Sequence, residues 1–511
     1  MALTSAKFLF LFCLSLVIYY LIPGKFRWIS LPVFSGALFL LSAKGYTVLY
    51  LIASILSTWL CAVGIADARE KDRPGRAKLL LGLGIGVNLG ILAVLKYSNF
   101  FIENTNWVIS VFGGSQQLPK LDLLAPLGIS FYTMQVLGYL LDTYWGIVTP
   151  QRSLGKTALF VSYFPQLTSG PIARYNQVES QLYAAHRFDA RRVEDGLGRI
   201  LWGIFKKLVI SARVGVLVDT IYGDTALYQG FYIWLAAGLF MLQLYTDFSG
   251  CMDIILGASE CYGITLPENF KMPFFSRSIQ EFWQRWHITL GAWLKDYILY
   301  PVLRTKTWRK MTKWIKAHWG KKAAKQIPAY LGMLCVWLLI GLWHGGNWKY
   351  VFGQGIWFWL LIVLSQVCEP LFGKLRRLLK IKTDSFGWHL FQSLRVYCLV
   401  CLGNMFFRLD SFPAAIGTLK LGFAQWNPRI FVDGSLYQLG LDAAEFWIMV
   451  ASLVVLLVVD ILEEKKSVRE RLAQRSAVVR GLLMMLLIFV ILVFGMYGIG
   501  FDAQSFIYES F

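Results

Sequence analysis

The chain is short of charge. Only 16% of its 511 residues are Asp, Glu, Lys or Arg, against about 25% in soluble proteins. Water is therefore not its main solvent, and the usual size of a soluble domain is no guide to its organisation. Acids are scarcer than bases, with 30 Asp and Glu against 50 Lys and Arg, a net charge of +20. In so apolar a chain that excess belongs to cytoplasmic loops and the anionic lipid of the inner leaflet, and nucleic acid is not an expected partner. No soluble domain, low-complexity tract or internal repeat is visible, and the lack of a repeat tells against a secondary transporter. Cysteine offers no metal or redox centre. Cys13, Cys61, Cys335, Cys368, Cys398 and Cys401 lie in apolar runs, and Cys398-x-x-Cys401 sits in VYCLVCLG. Thiols in such surroundings behave as small apolar side chains. A cleavable leader is also not evident: KFLFLFCLSLVIYYLIP runs into a second apolar segment without an A-x-A-like site, as a retained anchor does.

What is present is apolar sequence, 57% of the chain. It divides into about twelve candidate membrane spans: 7–22, 26–42, 46–66, 79–97, 123–145, 201–221, 229–248, 327–343, 351–368, 387–407, 444–462 and 481–500. Shorter apolar pieces near 157–170, 279–300 and 412–424 are expected to be re-entrant or interfacial. The expected fold is an all-α polytopic membrane protein forming one domain over 1–511. Within it, 1–120 supply N-terminal helices, 121–370 a central core, 371–500 C-terminal helices and 501–511 an extracellular tail. Three basic segments set the orientation: the loop DAREKDRPGRAK (67–78), the loop 463–480, and 304–325, which carries nine Lys and Arg and no acid. With all three in the cytoplasm, twelve spans leave both termini outside. The 304–325 segment also has Met311, Trp314, Ile315, His318 and Trp319 at helical spacing, the pattern of an amphipathic helix on the inner leaflet.

Ionisable groups at membrane depth are costly and mark functional candidates. His344 ends the run PAYLGMLCVWLLIGLWH, where Pro328 suits a first helical position and Gly345-Gly346 a helix end. From 328 to 344 is ~25 Å of helix, so a helix rising from the basic side carries His344 past the midplane. His287 lies in EFWQRWHITLGAWLKDYILYP (281–301), a stretch too charged for a lipid-facing span and expected to be a helix along a polar path or at the inner interface. Glu281 and Arg285 are spaced to pair on it. From the residues alone, each histidine is either a catalyst or a hydrogen-bonded structural group. Asp247 and Asp253 together suggest a metal site or proton relay, but with Ser249 they read more simply as helix caps around Gly250. His186 and His389 lie near basic loops with no evident partner set, and His318 as an interfacial residue.

Five blocks in order carry a resemblance: PLGISFYTMQVLGYLLDTYWG (126–146), YFPQLTSGPIARYNQV (163–178), TDFSGCMDIILGASECYGITLPENFKMPF (246–274), FWQRWHITLGAWLKDYILYPV (282–302) and GLWHGGNW (341–348). The chain resembles the bacterial membrane-bound O-acyltransferases, the family of the alginate O-acetylation and teichoic-acid D-alanylation membrane subunits. Phe352-Gly353 replaces the family's Trp-Gly pair, and Tyr297-Ile298-Leu299-Tyr300-Pro301 its Y-I-P block. The resemblance implies a helical fold with a central tunnel, in which a short acyl group, most simply acetyl, passes from a cytoplasmic thioester to a hydroxyl outside. His344 matches the active-site histidine, the general base. His287 matches the histidine of the RWHIS-type block, orienting the donor or stabilising the oxyanion. Trp343, Asn347, Trp286 and Asp296 are implied tunnel or positioning residues. The donor is an acetyl-coenzyme A or acyl carrier protein substrate, with no bound cofactor and no metal. Implied partners are a polysaccharide acceptor and an extracellular transferase or relay protein, in a bacterial plasma membrane. SFIYESF (505–511) has the family's C-terminal F-x-Y-x-x-F form, which makes Tyr508 a candidate acyl relay beside the alternative of an aromatic interfacial anchor.

Overall fold

The computed structural model describes residues 3–42, 45–167 and 169–498; Tyr508 lies outside them. The described residues are helical almost throughout, and no strand is formed among them. Eight helices are long and apolar enough to cross a membrane. They are Thr47–Glu70, Pro74–Val111, Phe231–Cys261, Lys306–His344, the stretch Trp348–Val367, Phe386–Arg408, Ala443–Lys465 and Ala477–Phe494. The other four expected spans are also helical but shorter or interrupted. Ala6–Leu21 and Arg27–Ser42 have 16 residues each and Ile129–Trp145 has 17, while 201–221 is broken by a wide turn at Lys206–Ser211. The pieces at 157–170, 279–300 and 412–424 form helices of 10 residues or fewer.

Two compact units emerge. Of the described residues, one comprises those up to Ile204 with Cys251–Glu268; the other comprises Phe205–Gly250 and 269–498. In the first, the supposed loop 67–78 shrinks to the turn between Thr47–Glu70 and Pro74–Val111. Arg73 N–H donates to Ala68 O at 2.7 Å, and Pro74 opens the next helix, where its missing donor is not needed. Arg199 forms the polar heart of this unit. Its guanidinium meets Asp253 at 3.0 Å, Glu260 at 3.2 Å and Glu268 at 2.6 Å.

The second unit holds both candidate histidines. The 39 residues of Lys306–His344 are two helices meeting at Gly320, whose φ of 82° lies in the left-handed region. The basic interfacial helix and the span following it are thus separate, as their compositions suggest. Pro328 does not start the span, contrary to expectation. It lies inside the helix 321–344, and its carbonyl accepts from Trp308 Nε1 of the basic helix at 3.1 Å. Three wide turns closed by i→i+5 hydrogen bonds interrupt helices of this unit, at Lys206–Ser211, Lys295–Leu299 and Val351–Ile356. Such turns are rare and concentrate at functional sites.

Candidate active site

The stretch 281–301 is not the single helix expected. Ile279–Arg285 stops, Trp286 is extended, His287 adopts φ 45° and ψ 50°, and Ile288–Leu294 then begins. A left-handed non-glycine residue costs on the order of 1–3 kcal/mol and persists only where its surroundings impose it. Here a short antiparallel pairing does so. Phe270 bridges to Trp286, Lys271 N–H donates to Arg285 O at 2.9 Å, and Ile288 N–H donates to Asn269 O at 3.0 Å. The expected Glu281–Arg285 pair forms at 2.9 Å, and Arg285 also reaches Glu464 at 2.7 Å.

The pairing brings Asn269 beneath the His287 ring, with Nδ1 of the imidazole 3.2 Å from Asn269 Oδ1. The same oxygen accepts from Thr289 N–H at 3.1 Å and Thr289 Oγ1 at 2.9 Å. Phe248 meets the imidazole edge-on at 5.0 Å and Trp343 at 5.4 Å. His287 is 2% exposed and lies outside the eight spans. Burial pushes its imidazole from the ordinary 6.5 down to about 3, so it is neutral at pH 7. Trp286 is buried against Phe282, Phe270 and Tyr245 and walls the same cluster.

His344 ends the helix 321–344 and is 4% exposed. Its ring packs edge-on against Trp343 at 5.1 Å and Phe407 at 5.5 Å. The Trp343 indole therefore touches both histidines, which lie 57 positions apart in the sequence. Gly345 leaves the helix with φ 176°, an extended conformation open to any residue. Its requirement is space, because a Cβ there would run into the Tyr350 ring. Tyr350 in turn packs on Phe407 at 5.3 Å, so the glycine lets one aromatic wall close around His344.

The other anticipated residues have partners of their own. Asn347 caps the next short helix, its Oδ1 accepting from Lys349 N–H at 2.9 Å. Asp296 sits half-buried on the wide turn Lys295–Leu299. Asp247 and Asp253 do not cap helices, as expected of them, because Phe231–Cys261 runs unbroken through Gly250. Each carboxylate instead meets a buried base, Asp247 with Lys207 and Asp253 with Arg199. His186 Nε2 lies 2.7 Å from Gln181 O, and His318 stacks on Trp314 at 4.5 Å. Three polar residues escaped the sequence reading. Asn269 was hidden in a loop and recognisable only through its pairing. Lys206 donates to Ser249 Oγ at 2.9 Å, and buried Lys349 donates to Leu409 O at 2.7 Å. Among the described residues no group of three or more His, Cys, Asp and Glu is placed to hold a metal ion.

The model of the membrane-bound O-acyltransferase family matches residues 151–316, a stretch that includes Asn269 and His287. A protein named probable alginate O-acetylase in Azotobacter vinelandii is 32% identical over 367 residues, covering 71% of this chain and 68% of that protein. The peptidoglycan O-acetyltransferase of Helicobacter pylori is 28% identical over 423 residues, 78% of this chain and 72% of that one. The teichoic acid D-alanyltransferase of Bacillus subtilis is 28% identical over 239 residues, 44% and 55%. A transporter reading falls with these matches. The 32% identity across two thirds of that probable O-acetylase, on a scaffold of eight long apolar helices, establishes that the chain is a multi-pass membrane enzyme belonging to the membrane-bound O-acyltransferase family.

Proposed function

We propose that this enzyme carries an acetyl group from a cytoplasmic thioester to a hydroxyl on the outer face of a bacterial plasma membrane, for O-acetylation of an extracellular or cell-wall polysaccharide. The observation that carries the reading is the contact of both His287 and His344 with the one ring of Trp343. The names of the relatives that act on alginate and peptidoglycan favour acetyl and a glycan. D-alanyl transfer from a carrier protein to teichoic acid is the second reading, favoured by the shorter match to a D-alanyltransferase.

In the proposed reaction His344 is the general base. A neutral imidazole takes the proton from the attacking hydroxyl as the new bond forms, the usual work of a general-base histidine. The hydroxyl oxygen bonds to the thioester carbonyl carbon, the tetrahedral intermediate collapses with loss of the C–S bond, and His344 returns the proton to the departing thiolate. His287 orients the donor or stabilises the oxyanion. Acetyl-coenzyme A or an acyl carrier protein serves as donor, and the basic segment 304–325 presents positive charge to either. Moving only the acyl group through a protein tunnel avoids the cost of burying a charged carrier in lipid. On the outer side an extracellular transferase or relay protein receives the group, with Tyr508 as its intermediate carrier. Phenyl esters are more reactive than alkyl esters because a phenol of pKa ~10 is the better leaving group. The full chain in vesicles, supplied with labelled acetyl thioester, tests the base. His344→Ala is expected to cut transfer by roughly 100-fold or more while the protein still elutes as a single folded species; undiminished transfer overturns the assignment.

A further inference from the structure

The three donors gathered on one oxygen decide which nitrogen of His287 carries its proton. Thr289 N–H is a backbone donor and cannot accept, so the Asn269 atom facing it at 3.1 Å is the amide oxygen and not the nitrogen. An amide oxygen accepts and never donates. His287 Nδ1, 3.2 Å from that oxygen, therefore bears hydrogen. A lone pair at Nδ1 would instead face the lone pairs of Oδ1. In a neutral imidazole with Nδ1 protonated, Nε2 holds the lone pair.

We infer that Asn269 is a positioning residue that locks His287 in its Nδ1–H tautomer, so that Nε2 serves the acyl transfer as an acceptor for an O–H or N–H group of the substrate. The inference rests on the reading that His287 belongs to the catalytic site, and it chooses between the two roles open to that histidine. A neutral imidazole with its lone pair at Nε2 cannot donate from that atom to an oxyanion. It can orient a donor-bearing group, such as the acceptor hydroxyl or an amide N–H in the arm of the thioester. The rest of the surroundings hold the ring in the plane that makes the lock work. Phe248 and Trp343 abut it at 5.0 and 5.4 Å. The left-handed backbone at His287 turns the side chain back over Asn269 instead of along a continuing helix. Thr289 contributes by keeping the amide from flipping, through both its N–H and its hydroxyl.

Asn269 also holds the start of Ile288–Leu294, so loss of activity in a variant would not separate positioning from folding. The direct test is nitrogen-15 NMR of the full chain labelled at its five histidines, in lipid vesicles at pH 7, with His287→Gln identifying the His287 signals. Expected is a protonated Nδ1 and an unprotonated Nε2. The reverse pattern overturns the inference whatever the enzyme's activity. Asn269→Asp keeps an acceptor oxygen and is expected to keep the Nδ1–H signal and measurable transfer. Asn269→Leu, assayed only if it elutes like the parent, is expected to give mixed tautomers and a kcat reduced on the order of 10-fold to 100-fold. A single Nδ1–H tautomer surviving in Asn269→Leu also overturns the inference. If the Nδ1–H tautomer is found but His287→Gln transfers acetyl at the parent rate, the tautomer stands and the catalytic reading of His287 falls.

Discussion

At the residue scale, Gly345 shows how a motif can be visible while its reason is not. The sequence HGG invites a helix-stop reading, and the helix does stop there, but the backbone at Gly345 is extended and needs no glycine. The absent Cβ matters because Tyr350 occupies its space. Gly345→Ala is therefore expected to displace the Tyr350 ring, loosen the wall that Phe407 shares with His344, and destabilise the fold by about 1–3 kcal/mol, the usual cost of overpacking. Thermal unfolding and acetyl transfer measured on the same preparation check it; an alanine variant with parental stability and rate would refute the steric account. His287 and His344 were legible as candidates because each stands out in an apolar or tryptophan-rich run. Asn269 was not, since its importance arises from a bridge between Phe270 and Trp286 that no local pattern announces. The roles of Asp247 and Asp253 were misread for a related reason. Their basic partners, Lys207 and Arg199, are 40 and 54 residues away in the chain.

At the element scale, apolar runs located the long helices but not short ones such as Tyr175–Leu182 and Glu369–Leu378, and composition separated the basic helix from the span that follows Gly320. It could not reveal the three wide turns, because one extra residue within a turn leaves the apolar pattern almost unchanged. Each has a visible effect on side-chain placement. The turn at Lys206–Ser211 buries two consecutive lysines, and that at Val351–Ile356 brings Gln354 Nε2 within 3.3 Å of Asn404 Oδ1. The clamp around Arg199 also joins elements, from Ala190–Phe205 to the helix bearing Asp253 and Glu260 and to the loop bearing Glu268. Its side chain is 8% exposed, while Asp253 and Glu260 are 16% and 14% exposed. Removing the cation leaves two largely buried carboxylates facing each other, a change that typically costs 3–5 kcal/mol. Arg199→Met is expected to lose about 3 kcal/mol or more on that ground. Arg199→Lys, which keeps the charge but not the planar fork, should fall between it and the parent. Unfolding in detergent with a thiol-reactive dye measures this, and an Arg199→Met protein as stable as the parent would show that the clamp contributes nothing.

At the scale of the whole molecule, the count of spans was the least legible quantity. Helices such as Ile129–Trp145 carry as much apolar sequence as a span, yet much of their surface packs against other helices, so hydropathy alone does not say whether lipid or protein surrounds them. Basic patterning is a different kind of signal. Basic residues concentrate in the segments 304–325 and 463–480, between long apolar helices. The helix 321–344 departs from the first of these segments and delivers His344 ~36 Å away along its axis. In the proposed reaction, with the basic segments in the cytoplasm, donor and acceptor approach from opposite sides, and the reaction acquires a direction that a catalyst open to one face lacks. Vesicles containing the enzyme in known orientation make this measurable. Membrane-impermeant acetyl thioester presented to the side of the basic segments is expected to label an acceptor enclosed on the other side, and the same donor presented to the opposite face is not. Equal labelling from either face would sink the transmembrane reading while leaving an acyltransferase. The same experiment follows the relay: with no acceptor enclosed, label retained on the protein is expected at Tyr508, and undiminished retention in Tyr508→Phe removes that residue from the path without touching the sidedness of the reaction.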